Sequence, residues 1–144
     1  MIILKTFYIF KLNKNYDLVA KKHPENIFIL LNSIYTYKKG DIIVAFDLFN
    51  EICTLINKEF FNTYYYNKLK VLDEYTKFKN THMYNNYLTN ETSKMEINNT
   101  YIKIKSNIID NIFINNLLAN MFICNFKNNN YIYLNDTVKK QTKH

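Results

Sequence analysis

The side chains best suited to chemistry are few in this sequence, and they stand apart from one another. The three histidines are His23, His82 and His144, and none of them has a second histidine or a cysteine at the spacing typical of metal ligands. With a single glycine, the chain has no glycine-rich loop of the kind that cradles phosphates. The spacing therefore predicts no metal site and no cofactor site.

General acid–base catalysis would need paired carboxylates, and the sequence offers one adjacent acidic pair. Asp73 and Glu74 lie in a polar stretch that predicts a solvated loop, so we do not expect them to act together. A cysteine–histidine pair stays open from the sequence alone, because Cys53 or Cys124 could meet His82 in the fold. We predict no catalytic residue and expect a protein that is not an enzyme.

Both cysteines are predicted to be buried free thiols, because each lies inside an apolar pattern, as suits a reducing compartment. A disulfide would require the elements that carry them to be adjacent. The apolar stretch at the start of the sequence is shorter than that of a secretory signal, and no stretch of eighteen residues is entirely apolar, as a membrane span would require. We therefore expect a cytoplasmic protein without a membrane segment.

Length and composition favour one ordered domain. The chain has 144 residues, of which 48% are hydrophobic and 17% aromatic, far from a disordered profile. We predict a single domain over residues 1–136 and a basic flexible tail over 137–144. All 19 basic residues are lysine, and the net charge of +7 either reflects an AT-rich genome or suits an acidic partner.

The hydrophobic pattern predicts an α/β (α+β) domain with a mixed sheet of about four to six strands and helices packed on it. Alternating or continuous apolar runs predict strands at 4–12, 82–88, 94–97, 101–105, 121–126 and 131–134. The stretch from 100 to 136 includes a helix capped by Asp110 and a turn at Asn128-Asn129-Asn130. We expect this stretch to supply most of the sheet.

Helical spacing dominates the first half of the chain. It predicts helices at 14–22, 24–35, 41–56 and 57–71, with a break at 38–40. The third helix is apolar over a wide face, and its polar strip consists of Asp47, Asn50, Glu51 and Thr54. A helix this apolar must be covered on more than one side, or must offer a surface to a partner.

A protein-binding surface is predicted where the first short helix meets this polar strip. Tyr16, Val19 and Ala20 form a small apolar face, and Asp47, Asn50 and Glu51 supply a polar margin. In the alternative interpretation, Tyr16 and Val19 pack on the sheet and the strip faces water.

Single-stranded nucleic acid is the alternative partner. Tyr101, Lys103 and Lys105 share one face of a predicted strand, and Tyr131 and Tyr133 share one face of another. Such surfaces can stack bases within a positive surround. The chain has no arginine, the residue best suited to phosphates and base edges, so we favour a protein partner over direct nucleic-acid binding.

The order of elements resembles that of the SirA family, the sporulation inhibitors of replication. At the start, the similarity lies in the strand Phe7 to Leu12, the helix with Tyr16, and the helix with Phe28-Ile29-Leu30-Leu31. At the end, the chain is similar to the family's closing strand, helix and aromatic hairpin, with Tyr131-Ile132-Tyr133-Leu134-Asn135 as the last arm.

The resemblance implies a small α/β domain without enzymatic activity, which binds the N-terminal domain of the bacterial replication initiator DnaA and stops new rounds of replication. It implies a contact surface on the first short helix and on the helix at 41–56. Tyr16 stands at the position of the family's first-helix aromatic, and Ala20 stands where the family has a second aromatic. In the third helix the corresponding contact residues are Asp47, Asn50 and Glu51.

Overall fold

The computed structural model describes residues 3–37 and 41–134, which form a mixed α+β fold with eight strands and five α-helices. The predicted break at 38–40 and the predicted basic tail at 137–144 lie outside the described residues. The strands are β1 (Lys5–Leu12), β2 (Cys53–Thr54), β3 (Tyr75–Phe78), β4 (Thr81–Asn86), β5 (Glu91–Ile97), β6 (Ile102–Ser106), β7 (Met121–Asn125) and β8 (Asn130–Leu134). The helices are α1 (Asp17–Lys22), which follows a 3₁₀ turn at Lys14–Tyr16, α2 (Pro24–Thr36), α3 (Ile42–Ile52), α4 (Lys58–Leu69) and α5 (Ile112–Asn115).

The described strands form one sheet in the order β3-β4-β5-β6-β1-β7-β8, with β2 paired to β1. The prediction of a mixed sheet with four to six strands was wrong, since the sheet is antiparallel and has eight described strands. The count was too low because two short strands were not predicted: β2, which pairs with β1, and β3, which begins the antiparallel meander β3-β4-β5. The last third of the chain supplies β6, β7 and β8, so the expectation that it forms most of the sheet was wrong. The interior position predicted for β1 is confirmed, since it lies between β6 and β7.

Two asparagines close hairpins with backbone conformations that most residues avoid. Asn90 has φ 58° between β4 and β5, and Asn129 has φ 56° between β7 and β8. Asparagine tolerates this left-handed region better than other non-glycine residues. The turn predicted at 128–130 is thereby confirmed.

The described residues divide into two compact units. The first unit contains residues 3–9 and 55–117, and the second contains residues 10–37, 41–54 and 118–134. The prediction of a single domain over 1–136 stays a prediction.

In the first unit, the start of β1 pairs with β6, and β6 continues the meander through β5. Helices α4 and α5 both contact β5. Tyr65 of α4 is fully buried, and its hydroxyl donates to the Phe113 carbonyl of α5 at 2.8 Å. The core of this unit thus lies between the two helices and the inner face of the meander.

In the second unit, the end of β1 pairs with β2, and β7 pairs with β8. All five residues of β7 are buried, as predicted for a strand with both faces covered. Helix α2 contacts β8 and α3, with Ile27 and Leu31 fully buried. Pro24 occupies the first turn of α2, as its fixed φ predicts.

Helix α3 ends four residues before its predicted end at residue 56. Cys53 and Thr54 extend instead and pair with Leu12 and Lys11 of β1. The backbone N–H of Asn13 also donates to the Ile52 carbonyl at 2.7 Å. Thr54 therefore leaves the polar strip of the helix.

Asn111, not the predicted Asp110, caps α5. The Asn111 side chain is buried, and its oxygen accepts hydrogen bonds from the backbone N–H groups of Phe113 and Ile114 at 3.1 and 3.0 Å. Its amide group donates to the carbonyls of Ile108 and Ile109. The Asn111 side chain thus forms hydrogen bonds with backbone groups both before and after the start of α5.

Replacing this cap tests the assignment directly. Asn111→Ala is expected to lower the free energy of unfolding by about 2 kcal/mol, because it removes the cap and leaves buried backbone groups unsatisfied. Asp110→Ala, at the exposed neighbouring position, is the control and is expected to cost less than about 0.5 kcal/mol. Urea unfolding of both variants provides the comparison, and equal losses would show that Asp110 shares the capping role.

Candidate partner-binding surface

Helix α3 exposes large apolar side chains along its first half. The exposed fractions are 73% for Ile43 and 64% for Phe46, and Ile42 and Val44 are also more than half exposed. Phe49 and Ile52 on the opposite side are buried and hold the helix on its unit. The wide apolar face predicted for this helix is thus only partly buried by the other described residues.

The exposed apolar residues and the predicted polar strip lie on one side of the helix. Positions 43, 46, 47 and 50 follow the spacing of one helical face, and position 51 lies one turn beyond 47. We call this surface the α3 face, defined as Ile43, Phe46, Asp47, Asn50 and Glu51. Along the helix it changes from apolar at its start to polar and acidic at its end.

Tyr16 is joined to the α3 face by a hydrogen bond. Its hydroxyl donates to Oε1 of Glu51 at 2.8 Å, across 35 positions of sequence. This bond, followed by burial and the Glu51 charge, raises the pKa of Tyr16 above its ordinary value of 10.0. The bond thus joins the two parts of the predicted surface, the residues around Tyr16 and the polar strip of the third helix.

Helix α1 follows Tyr16 and is held in place by the contacts of its first residue, Asp17. The Asp17 carboxylate accepts a hydrogen bond from the Tyr133 hydroxyl of β8 and lies 3.0 Å from Lys21 Nζ. The Tyr133 bond, with the Lys21 contact, lowers the pKa of Asp17 below 3.8. Sequence reasoning missed this contact, because nothing local links positions 116 residues apart.

The other residues predicted on α1 have different surroundings. Val19 is 37% exposed and remains available beside Leu18, which is also exposed. Ala20 is only 1% exposed and belongs to the core. Its side chain does not lie on the surface, so the surface at α1 consists of Tyr16, Leu18 and Val19.

The tyrosines predicted for a base-stacking strand are packed within the second unit. Tyr133 is buried and bonded to Asp17. Tyr131 stacks on Phe28 with ring centroids 4.9 Å apart, and on Phe122 at 6.1 Å. These contacts use the ring faces that a nucleic-acid base would need.

Both cysteines and one histidine, His82, are buried. Cys53 and Cys124 are buried free thiols, as predicted, and burial raises the pKa of both, that of Cys53 to about 12. His82 is buried, with Nδ1 2.7 Å from the Tyr75 hydroxyl and Nε2 2.7 Å from Oδ1 of Asn62. The raised pKa disfavours the thiolate form of both cysteines, and both ring nitrogens of His82 already have hydrogen-bonding partners.

Within residues 3–37 and 41–134, no group of three or more histidine, cysteine, aspartate or glutamate side chains is placed to hold a metal ion. No helix in the described part of the chain has the length and apolar character needed to cross a bilayer.

Comparison with known proteins adds no family assignment. The sequence matches no protein-family model and no curated protein.

Proposed function

We propose that this chain is a non-enzymatic regulator of the SirA type, which binds the N-terminal domain of DnaA and inhibits the initiation of replication. The observation that carries the proposal is the exposure of Ile43 and Phe46 on the helix that the resemblance implies for contact. The contact surface comprises the α3 face together with Tyr16 and Val19.

This surface has the composition of a modest protein interface. Large apolar side chains exposed side by side favour association, and a polar margin around them suits a specific contact. Phe46 and Ile43 supply the apolar centre, and Asp47, Asn50 and Glu51 supply the margin. Tyr16, held by Glu51, adds an aromatic side chain of the type that often dominates binding energy.

The mechanism is occupancy of a surface on the initiator. A folded helical face that covers the DnaA N-terminal domain excludes the contacts that DnaA needs for its own assembly or for helper proteins. Such inhibition requires no chemistry, and a few anchoring residues determine the affinity more than the buried area does. A bacterial cytoplasm and a role at sporulation are parts of the same proposal.

Tyr16→Ala is expected to weaken binding to the DnaA N-terminal domain by about 1–3 kcal/mol, because it removes one aromatic anchor. Titration calorimetry measures the affinity, and thermal unfolding shows whether the fold is intact. Tyr16→Phe is the matched variant: it keeps the ring and loses only the hydrogen bond to Glu51. We expect it to retain most of the affinity.

Two results would contradict this interface. If Tyr16→Ala unfolds the chain, Tyr16 is a core residue and its assignment to the interface is wrong. If Tyr16→Ala folds and binds DnaA as tightly as the unchanged chain, the surface used lies elsewhere.

A further inference from the structure

The outer face of the sheet in the first unit carries two parallel rows of side chains, which cross the strands from β3 to β1. Residues of neighbouring strands lie directly opposite one another, so the register defines each row. The first row runs across β3, β4, β5, β6 and β1 through Phe78, Thr81, Glu96, Lys103 and Tyr8. The second row runs across the same strands through Thr76, Met83, Lys94, Lys105 and Thr6. We call these ten positions the row face.

The centre of the row face has more positive than negative charge. Lys94 lies directly opposite Lys105, and Lys103 lies directly opposite Glu96. Glu96 pairs with Lys94, at 3.3 Å between Oε1 and Nζ. Among the described residues, no carboxylate lies within salt-bridge distance of Lys103 or Lys105. Like charges directly opposite each other destabilise a sheet, so this arrangement favours an anion that would neutralise them.

Aromatic side chains lie at both ends of the first row. Phe78 is 74% exposed at one end. At the other end, Lys103 Nζ lies 5.8 Å from the centre of the Tyr8 ring, and Tyr101 meets that ring edge-on at 5.4 Å. Four inter-strand spacings separate the two ends, or about 19 Å. The row face thus combines central lysines with aromatic rings spaced along one line.

We propose that the row face binds single-stranded nucleic acid. Phosphates lie at Lys94, Lys103 and Lys105, and a base stacks on the exposed ring of Phe78. Single-strand binders combine these two features, a positive track for the backbone and aromatic platforms for bases. An acidic peptide would neutralise the lysines but would leave Phe78 without a role, and the bases of a duplex stay stacked on one another and cannot stack on Phe78.

This site is separate from the proposed DnaA surface in both residues and unit. The row face belongs to the first unit, whereas Tyr16 and the α3 face belong to the second. Either proposal can therefore fail while the other holds. A regulator with both surfaces would bind the initiator and an exposed single strand.

The test measures binding of the full chain to a fluorescein-labelled oligothymidine of about 12 nucleotides by anisotropy. Lys94→Gln/Lys105→Gln is expected to weaken binding at least about tenfold. It should also reduce the slope of log affinity against log salt from about −2 to about −0.7, since each phosphate contact contributes about −0.7 for a single strand. Because the change removes a repulsive pair, the melting temperature should stay equal or rise.

The matched control is Lys68→Gln/Lys70→Gln, which removes two exposed lysines from α4 and its C-cap in the same unit. It should keep the affinity and the salt slope nearly unchanged. Phe78→Ala, at an exposed position, should weaken binding at least about fivefold through the lost stacking.

Three results would overturn the proposal. One is the absence of oligothymidine binding at low salt. The second is an equal loss in the two double variants, which would indicate general attraction to a chain of net charge +7. The third is competition by polyglutamate as strong as competition by unlabelled oligothymidine, which would assign the lysines to an acidic polypeptide.

Discussion

Phe46→Asp is expected to weaken binding to the DnaA N-terminal domain at least about 100-fold, or about 3 kcal/mol, without loss of folding stability. Phe46 is 64% exposed, so the substitution removes little packing from the free protein. In the proposed complex the same position would bury a carboxylate against apolar surface, and burial of an unpaired charge is costly. The loss of a large anchor near the centre of the interface adds to this cost.

Val71→Asp is the control, because it makes the same kind of change at a well-exposed apolar residue of the first unit. It is expected to bind DnaA like the unchanged chain. Titration calorimetry gives the affinities, and circular dichroism with thermal unfolding confirms the fold of both variants. Equal binding by Phe46→Asp and the unchanged chain would remove the α3 face from the interface.

Acid is expected to destabilise the protein through His82, by about 2.5 kcal/mol between pH 7.5 and pH 4.5. Burial, with a smaller effect from Lys77, lowers the pKa of His82 from 6.5 to about 4. The unfolded chain takes up this proton near pH 6.5, whereas the folded chain resists it until about pH 4. Stability is therefore complete above pH 6.5 and is lost as the pH falls from there toward 4.

The neutral form is favoured because protonation would charge a ring that lies between Tyr75 and Asn62, away from water. Urea unfolding at several pH values measures the loss, and the unchanged chain should lose about 2.5 kcal/mol more than His82→Gln over the same interval. His23→Gln, at an exposed position, should keep the full pH dependence. An equal acid loss in the unchanged chain and in His82→Gln would show that other groups cause it.

The parts of the fold that were predictable carry local signals. The apolar run of β1, the start of α2 at Pro24 and the asparagine turn before β8 each depend on neighbouring residues. The meander was harder, because polar residues occupy several of its inward positions. Ser93, for example, is buried with hydrogen bonds of 2.8 Å to Glu91 and to Ser106, which the alternation of apolar residues does not indicate.

The candidate surface was predictable to the extent that helical spacing determines it. Spacing placed Asp47, Asn50 and Glu51 on one side of α3, and those residues are exposed. It could not place Ala20, because burial of a small residue depends on what packs over it. It also could not end α3 at Ile52, because the pairing of Cys53 with Leu12 joins distant parts of the chain.

The most direct measurement is titration calorimetry of the unchanged chain with the DnaA N-terminal domain from the same organism, at low and at moderate salt. We predict one chain per domain and an affinity that changes less than about threefold with salt, because apolar anchors and not charges supply most of the binding energy. No binding at micromolar concentrations, or binding that collapses as salt rises, would contradict the account.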